Sequence, residues 1–327
     1  MRVPLASPIS RVSRRRAPGG TIRRVAPWIA VVALAAATAA CTGSGEGSDG
    51  RPTVVVTYSV LGALVRDAVG DAADVKVLIP DGSDPHEWEP SARDIERVNH
   101  ADLIVRNGLG LEGGVLDVLD IAEDDGVPTF VASDHVRVRT VGDGEGLPGG
   151  DSDQATGAPD PHLWMDPLTM RDVIAALGPA LSALGIDATA GVARVVAGLE
   201  QLDAQVAAVL APIAPADRIL VTGHESLGYF ADRYGFRLVG AIVSSLTTQA
   251  DVSAKELAHL ADAIRREGVK AVFTEIGTSR QIADAISDET GVQVVELASH
   301  NLPGDGTYST FMLDNARKVA AALTAAG

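Results

Sequence analysis

Short apolar runs alternate with stretches of helical periodicity from about residue 53 onward. Residues 53–57 form a β-branched run, which predicts a strand. Apolar side chains then recur every three or four residues from Leu61 to Ala68, as on the buried face of a helix, and residues 75–79 again have strand composition. This order predicts a β-strand, an α-helix and a second, parallel β-strand.

The same order of elements returns about 165 residues later. Residues 218–222 and 237–243 have strand composition, and they flank an apolar helical stretch at residues 227–234. Further strands are predicted at residues 103–106, 129–132, 271–274 and 292–296. Strands that alternate with helices in this way predict an α/β fold with two Rossmann-like lobes of similar plan.

Two stretches rich in Ala, Val and Leu lie between these halves of the chain. Residues 168–184 and 189–210 are helical in pattern, and the second keeps an apolar stripe over its whole length. We expect this second stretch to form one long helix that joins the lobes. The predicted division is a first lobe at residues 53–167, a helical linker at 168–212 and a second lobe at 213–327.

The N-terminus has the features of a secretory signal. It is rich in Arg up to Arg24, and an apolar run at residues 29–40 ends in small residues directly before Cys41. That run is too short to span a bilayer, which needs about 20 residues. Residues 1–40 are therefore predicted to be a signal peptide. Residues 38–41 resemble a bacterial lipoprotein box, so we expect Cys41 to carry the lipid and residues 41–52 to form a flexible tether.

Composition and charge narrow the choice of partners. The chain has 327 residues, of which 46% are hydrophobic and 21% are charged, values typical of a globular protein. Its formal net charge is −16, although the segment before Cys41 contains no acidic residue. A body this acidic repels nucleic-acid phosphates and anionic lipid, which argues against either as a partner and is compatible with cations as ligands.

Four of the seven histidines follow predicted strands or occur in turns fixed by proline. His86 and His162 each follow an Asp-Pro pair, while His224 lies two residues and His300 four residues past the end of a predicted strand. The carboxyl ends of strands are where open α/β sheets bind ligands. Zn²⁺ prefers a tetrahedral set of neutral imidazoles, so these turns could direct two ligands from each lobe into one cleft. Mn²⁺ and Fe²⁺ are the alternative ions.

The other candidate residues have simpler interpretations. The remaining histidines, His100, His135 and His259, are expected to be ordinary surface or helical residues. Trp88 and Trp164 each lie two residues after a candidate ligand, and either core packing or lining of the cleft would account for them.

Several turns resemble those of the zinc- and manganese-binding lipoproteins that deliver metal to bacterial ABC importers. The resemblance is carried by the turns around His86, His162 and His224, by the aromatic residues at 229–236, and by residues 273–275 and 308–315. It extends from residue 53 to residue 323. It implies two α/β lobes bridged by one long rigid helix, a metal ion between them, docking onto an ABC permease, and a lipid anchor outside the cytoplasmic membrane.

The resemblance matches His86, His162 and His224 to the first three ligands of the family, but its usual fourth ligand, an Asp, is missing. His300 or Glu296 must supply that position, and we favour His300 because it lies in the turn just past the strand. Glu275 is expected to hold a ligand histidine through its ring N–H. Residues 141–161 take the place of a loop that is often His-rich in zinc-specific members; here they are acidic, contain six Gly and no His, and are expected to form a mobile surface loop.

An enzyme is the competing interpretation. A zinc hydrolase would use Glu225 or Glu275 as general base and would keep one metal position open for water. Four candidate protein ligands favour a carrier that surrounds its ion, so we expect no catalytic residues.

Overall fold

Two parallel β-sheets organise the computed structural model, which describes residues 50–142, 145, 156–243, 245–246, 248, 252–276 and 278–324. The first sheet contains β1 (Thr53–Val56), β2 (Asp74–Val77), β3 (Leu103–Arg106) and β4 (Thr129–Val131) in the order β2-β1-β3-β4. The second contains β5 (Ile219–Thr222), β6 (Arg237–Ala241), β7 (Ala271–Thr274) and β8 (Gln293–Glu296) in the order β6-β5-β7-β8. The same strand order in both sheets confirms the predicted pair of similar α/β lobes.

Helices connect the strands and cover both faces of each sheet. In the first lobe they are α1 (Ser59–Val69), α2 (Ala92–Asn99) and α3 (Leu116–Asp124). The connecting segment contributes α4 (Pro167–Ala183) and α5 (Thr189–Leu210). The second lobe contains α6 (Gly228–Tyr234), α7 (Ala254–Glu267), α8 (Arg280–Thr290) and α9 (Tyr308–Thr324).

The long helix α5 packs against helices of both lobes. Its apolar stripe, which includes Val195, Leu199 and Val206, is buried, and it contacts α1 as well as α4 and α9. Gly191 permits the close approach to α1, because a Cβ at this position would lie 1.9 Å from the carbonyl oxygen of Ala68. The long connecting helix predicted from the apolar spacing is therefore present, with the bounds predicted for it.

One hydrophobic core runs through both lobes. Its largest cluster joins Val54 under the first sheet and Phe273 under the second to Leu199 of α5 and Phe311 of α9. Two smaller clusters fill the outer faces of the first sheet and of the second sheet. The lobes thus share packing along the linker helices, and their strand ends point into the space between them.

The expected surface loop needs a correction, and the expectations for the N-terminus concern residues that the structure does not describe. Residues 141–161 were expected to form a surface loop, but Asp160 and Pro161 at its end are buried, and residues 143–144 and 146–155 lie outside the described residues. The predicted signal peptide at 1–40, Cys41 and the tether as far as residue 49 also lie outside them. None of the helices in the described parts of the chain combines the length and apolar composition that a membrane span requires.

Candidate metal centre

His86 lies in a turn between β2 and α2. Its backbone N–H donates to Oδ1 of Asp84 at 3.0 Å, an interaction that fixes the turn. The turn rests on Gly113 and Gly114, and a Cβ on Gly114 would lie 2.3 Å from the carbonyl oxygen of Trp88. Two small residues in a neighbouring segment therefore let the His86 turn pack closely on the first lobe.

His162 is held by the acid two positions before it. Oδ1 of Asp160 accepts the backbone N–H of His162 at 3.0 Å and lies 2.8 Å from its ring Nδ1. Both side chains are fully buried. A carboxylate on Nδ1 keeps the proton there, which leaves Nε2 as the electron-pair donor.

His224 lies two residues past the end of β5 and is held by Glu275, which directly follows β7. Oε1 of Glu275 accepts the backbone N–H of His224 at 2.9 Å, lies 2.6 Å from its Nδ1, and accepts the hydroxyl of Ser226 at 3.0 Å. Neighbouring parallel strands end at the same sheet edge, which brings these residues together. The expected contact between Glu275 and a candidate ligand histidine is present in this geometry.

His300 comes after β8 and faces the first lobe. Its Nδ1 lies 2.9 Å from Oγ of Ser299, and Trp164 donates its indole N–H to the Ser299 carbonyl at 2.8 Å. The carbonyl of His300 accepts the hydroxyl of Ser59 at 3.3 Å. These bonds between the lobes fix the turn that carries the fourth imidazole.

The four imidazoles converge between the lobes. One nitrogen from each of His86, His162, His224 and His300 lies within 4.8 Å of the others, and all four residues are buried. Nε2 of His162 is 3.2 Å from Nε2 of His224. Two nitrogens bound at about 2.0–2.1 Å to a tetrahedral Zn²⁺ would lie about 3.3 Å apart. The donor set and its spacing therefore fit a tetrahedral cation that prefers nitrogen.

The electrostatics of the cluster favour neutral rings. Burial lowers the pKa of His86 and of His300 well below the usual value, and the neighbouring imidazoles lower it further. Burial also lowers the pKa of His162, although Asp160 opposes this shift. Neutral imidazole is the form that binds metal, so the cluster is prepared for coordination at neutral pH.

The structure does not bring Glu296 into this cluster. Its side chain is 68% exposed at the end of β8, where it lies 3.6 Å from Arg280. Glu225 is buried beside His224, and its backbone N–H donates to the carbonyl of Ser245. The geometry thus favours His300 over Glu296 as the fourth donor.

The remaining candidates have separate surroundings. His100 contacts the carbonyl of Glu96 at 2.7 Å, His135 stacks on Phe130, and His259 is exposed. Trp164 is fully buried and lies against the rings of both His162 and His300, so it lines the histidine cluster. Trp88 instead packs on the outer core of the first lobe.

Sequence analysis missed two residues around His162. Asp160 was treated as part of a turn and not as a ring partner, and Arg139, which pairs with Asp160, was not considered. The repeated spacing Asp-Pro-His was the available signal, because Asp84 and Asp160 each accept the backbone N–H of the histidine two residues later. Nothing in the local sequence indicates the partner Arg139, which is 21 residues away from Asp160.

Comparison with known proteins gives one family and several relatives. The model of the family described as periplasmic zinc-uptake complex component A matches residues 54–322. The manganese-binding lipoprotein MntA of Halalkalibacterium halodurans is 26% identical over 297 residues, which are 88% of this chain and 94% of that protein. The zinc-binding lipoprotein AdcA of Streptococcus pneumoniae is 28% identical over 252 residues, which cover 75% of this chain and only about half (49%) of AdcA.

A solved structure has the same two-lobed fold. The periplasmic zinc-binding protein TroA of Treponema pallidum superposes with a TM-score of 0.73 at 27% identity, and the match covers 84% of this chain and 99% of that one.

Proposed function

We propose that this chain, which belongs to the family of periplasmic zinc-uptake complex component A, captures Zn²⁺ between its two lobes and delivers the ion to an ABC permease. The observation that carries the proposal is the buried cluster of four imidazoles. In this proposal His86 and His162 of the first lobe and His224 and His300 of the second bind the ion. Residues 53–167 and 213–327 then act as the two metal-binding lobes on either side of a linker at 168–212.

The donor atoms favour zinc over manganese. Mn²⁺ and Fe²⁺ sites usually include carboxylate oxygens, whereas Zn²⁺ is well served by imidazole nitrogen in a tetrahedral set. The carboxylates near the cluster, Asp160 and Glu275, face the Nδ1 atoms of His162 and His224 and so support the rings from behind. The relatives include proteins named for manganese and for zinc, so the ion is inferred from the donors and not from the names.

The same geometry favours a carrier over a hydrolase. A catalytic zinc site keeps a position open for water, whereas four imidazoles complete a tetrahedral shell. Glu275, a candidate general base, already accepts bonds from the backbone of His224 and from Ser226 with the oxygen that faces the ring. Its environment suits the orientation of His224 better than proton transfer to a bound water.

The N-terminal sequence supports a position outside the cytoplasmic membrane for the proposed carrier. A signal peptide at residues 1–40 would be removed, and the lipid on Cys41 would anchor the mature protein to the outer face of that membrane. Relatives over much of this chain are named lipoproteins, which supports the same arrangement. The acidic body suits attraction of cations.

Metal binding by the purified protein tests this function. We expect one Zn²⁺ per chain by elemental analysis and calorimetry, and an increase in thermal stability that grows with zinc concentration, as mass action requires. Zinc should displace manganese in direct competition. His259→Ala, which removes an exposed histidine, is the matched control and should bind zinc as the wild type does. Saturable hydrolysis of esters, peptides or phosphates that disappears in Glu275→Gln would instead support an enzyme.

A further inference from the structure

A short two-stranded arm carries His162 to the metal centre. It pairs residues 139–141 with residues 157–160 through backbone bonds, including the N–H of Asp160 to the carbonyl of Arg139 at 2.9 Å and the N–H of Val141 to the carbonyl of Ala158 at 2.9 Å. Thr140 and Pro159 form an antiparallel bridge between the two sides. Because His162 follows directly, the position of its ring depends on the base of this arm.

Arg139 is the charged centre of that base. Its guanidinium donates to both carboxylate oxygens of Glu145 at 2.5 and 2.6 Å, to Oδ2 of Asp160 at 3.3 Å, and to Oδ2 of Asp232 at 3.0 Å. The side chain of Arg139 is only 7% exposed. Asp160 belongs to the arm and Glu145 to the segment between its two sides, whereas Asp232 lies on α6 of the second lobe. One arginine therefore contacts carboxylates from both lobes.

Asp160 connects this arginine to the metal centre. Its Oδ1 holds the backbone N–H and ring Nδ1 of His162, while its Oδ2 accepts from Arg139. The carboxylate is fully buried. Arg139 is the only lysine or arginine among the described residues that lies within ion-pair distance of the Asp160 carboxylate. A buried carboxylate that lost its cation would be strongly destabilised and would leave its present position.

The second lobe covers this ion pair closely. A Cβ at Gly228, the first residue of α6, would lie 2.3 Å from Oδ2 of Asp160 and 2.5 Å from Nη1 of Arg139. The backbone N–H of Arg139 also donates to the hydroxyl of Tyr229 at 2.8 Å. A glycine is thus needed where α6 begins, because the pair occupies the space that a side chain would fill.

We propose that Arg139 is a positioning residue for metal binding, which fixes Asp160 and thereby holds the His162 ring with Nε2 directed at the other three imidazoles. This inference rests on the proposed function, since it assigns a role within the same metal centre. The charge-assisted bond from Arg139 restrains the carboxylate, and the carboxylate restrains the ring on its Nδ1 side. Nε2 of His162 then remains 3.2 Å from Nε2 of His224, at the spacing that a shared cation requires.

An alternative role for Arg139 would be to hold the two lobes together through its ion pair with Asp232. The side chain of Asp232 is 63% exposed, so solvent screens this ion pair and its contribution is small. The pair with Asp160 is buried and directly adjacent to a candidate ligand. The two roles therefore predict different effects for variants at positions 139 and 232.

Zinc release and cobalt spectroscopy separate these roles. Arg139→Gln should bind one metal ion per chain but release zinc to a chelator about 10- to 100-fold faster than wild type, the range typical of lost partners behind metal ligands. Bound Co²⁺ should show altered d–d absorption, because one imidazole has changed its orientation. Asp232→Asn should change the release rate less than about twofold and keep the wild-type cobalt spectrum. Arg139→Lys, which keeps the charge, should fall between Arg139→Gln and wild type.

Each outcome decides the proposal. Wild-type release and a wild-type cobalt spectrum in Arg139→Gln would overturn it, and so would an Asp232→Asn variant that releases zinc as fast as Arg139→Gln. If circular dichroism shows that Arg139→Gln is unfolded, Arg139→Lys decides instead: faster release with an altered cobalt spectrum supports positioning, and wild-type values overturn it. Wild-type protein is measured in parallel, and its failure to bind zinc would refute the proposed function and not the role of Arg139 alone.

Discussion

Nε2 of His162 lies 3.2 Å from Nε2 of His224, although the two residues are 62 positions apart in the chain and belong to different lobes. Each ring has a carboxylate on its other nitrogen, Asp160 at 2.8 Å and Glu275 at 2.6 Å. The carboxylates favour the tautomer in which the two Nε2 atoms present lone pairs to the same point. A cation at that point would contact both lobes directly.

The fourth donor is tested by two single substitutions. His300→Ala should weaken zinc binding by more than the 10- to 100-fold that is typical of outer partners, because it removes a ligand. Glu296→Gln should change the affinity less than about twofold, since an exposed pair with Arg280 contributes little. A competitive zinc titration with a chelator of known affinity measures both. The opposite ranking would assign the position to Glu296 and favour manganese.

Glu275 should act through His224. Glu275→Gln removes the negative charge behind the His224 ring, and we expect zinc affinity to fall about 10- to 100-fold with one ion still bound per chain. Glu289→Gln, which changes an exposed carboxylate in the same lobe, is the control and should bind zinc normally. Equal affinities for Glu275→Gln and wild type would show that the carboxylate does not support the ligand.

The pH dependence has a definite sign. Burial lowers the pKa of His86 and His300 in the folded protein, whereas the same rings titrate near about 6.5 in the unfolded chain. Below that pH the unfolded chain binds more protons, so the free energy of unfolding of the metal-free protein should fall as the pH decreases through about 6.5. Urea denaturation between pH 8 and 5 measures this.

Zinc binding should also weaken as the pH decreases, because protons and zinc compete for the imidazoles. Because burial lowers the pKa of His86 and His300, we expect the affinity to stay nearly constant from pH 8 to about 6 and to fall only at lower pH, where the rings take up protons. His300→Ala should show a smaller pH dependence of stability than wild type or His259→Ala. An affinity that falls steeply between pH 8 and 7, where these rings are neutral, would contradict the lowered pKa of the cluster.

Cys41 should anchor the protein. Cys41→Ala removes the thiol that would carry the lipid, and it is the one cysteine in the sequence. The variant should keep its signal peptide or appear in the soluble fraction, whereas wild type should fractionate with membranes and carry the mass of a lipid. Mass spectrometry and membrane fractionation check this, and identical behaviour of the two proteins would refute the anchor.

Much of the fold could be predicted because it depends on local patterns. The strands and the long helix α5 coincide with β-branched runs and with a continuous apolar stripe, which are properties of short windows of sequence. Helix α9 was not predicted, although buried residues such as Phe311, Met312 and Val319 have helical spacing. Its two faces differ little in polarity because Ala dominates the second half of the helix, so the pattern is weak there.

The metal centre was predictable only in part. His86, His162 and His224 stood out because Asp-Pro pairs or strand ends frame them, whereas His300 and Glu296 could not be separated by sequence alone. The choice depends on where the chain turns after β8, and in the structure that turn is fixed by bonds from Trp164 and Ser59 of the first lobe. Such contacts join residues 135 and 241 positions apart, so no local pattern contains them.

X-ray absorption at the zinc edge is the most direct test of a zinc site built from four imidazoles. For the wild-type protein loaded with one Zn²⁺, we predict a single shell of four nitrogen donors at about 2.0–2.1 Å, with the outer-shell scattering of four imidazole rings. His300→Ala should lose one imidazole from this signal. A wild-type spectrum with carboxylate or water oxygens in place of one or more imidazoles, or with five or six donors, would contradict the account.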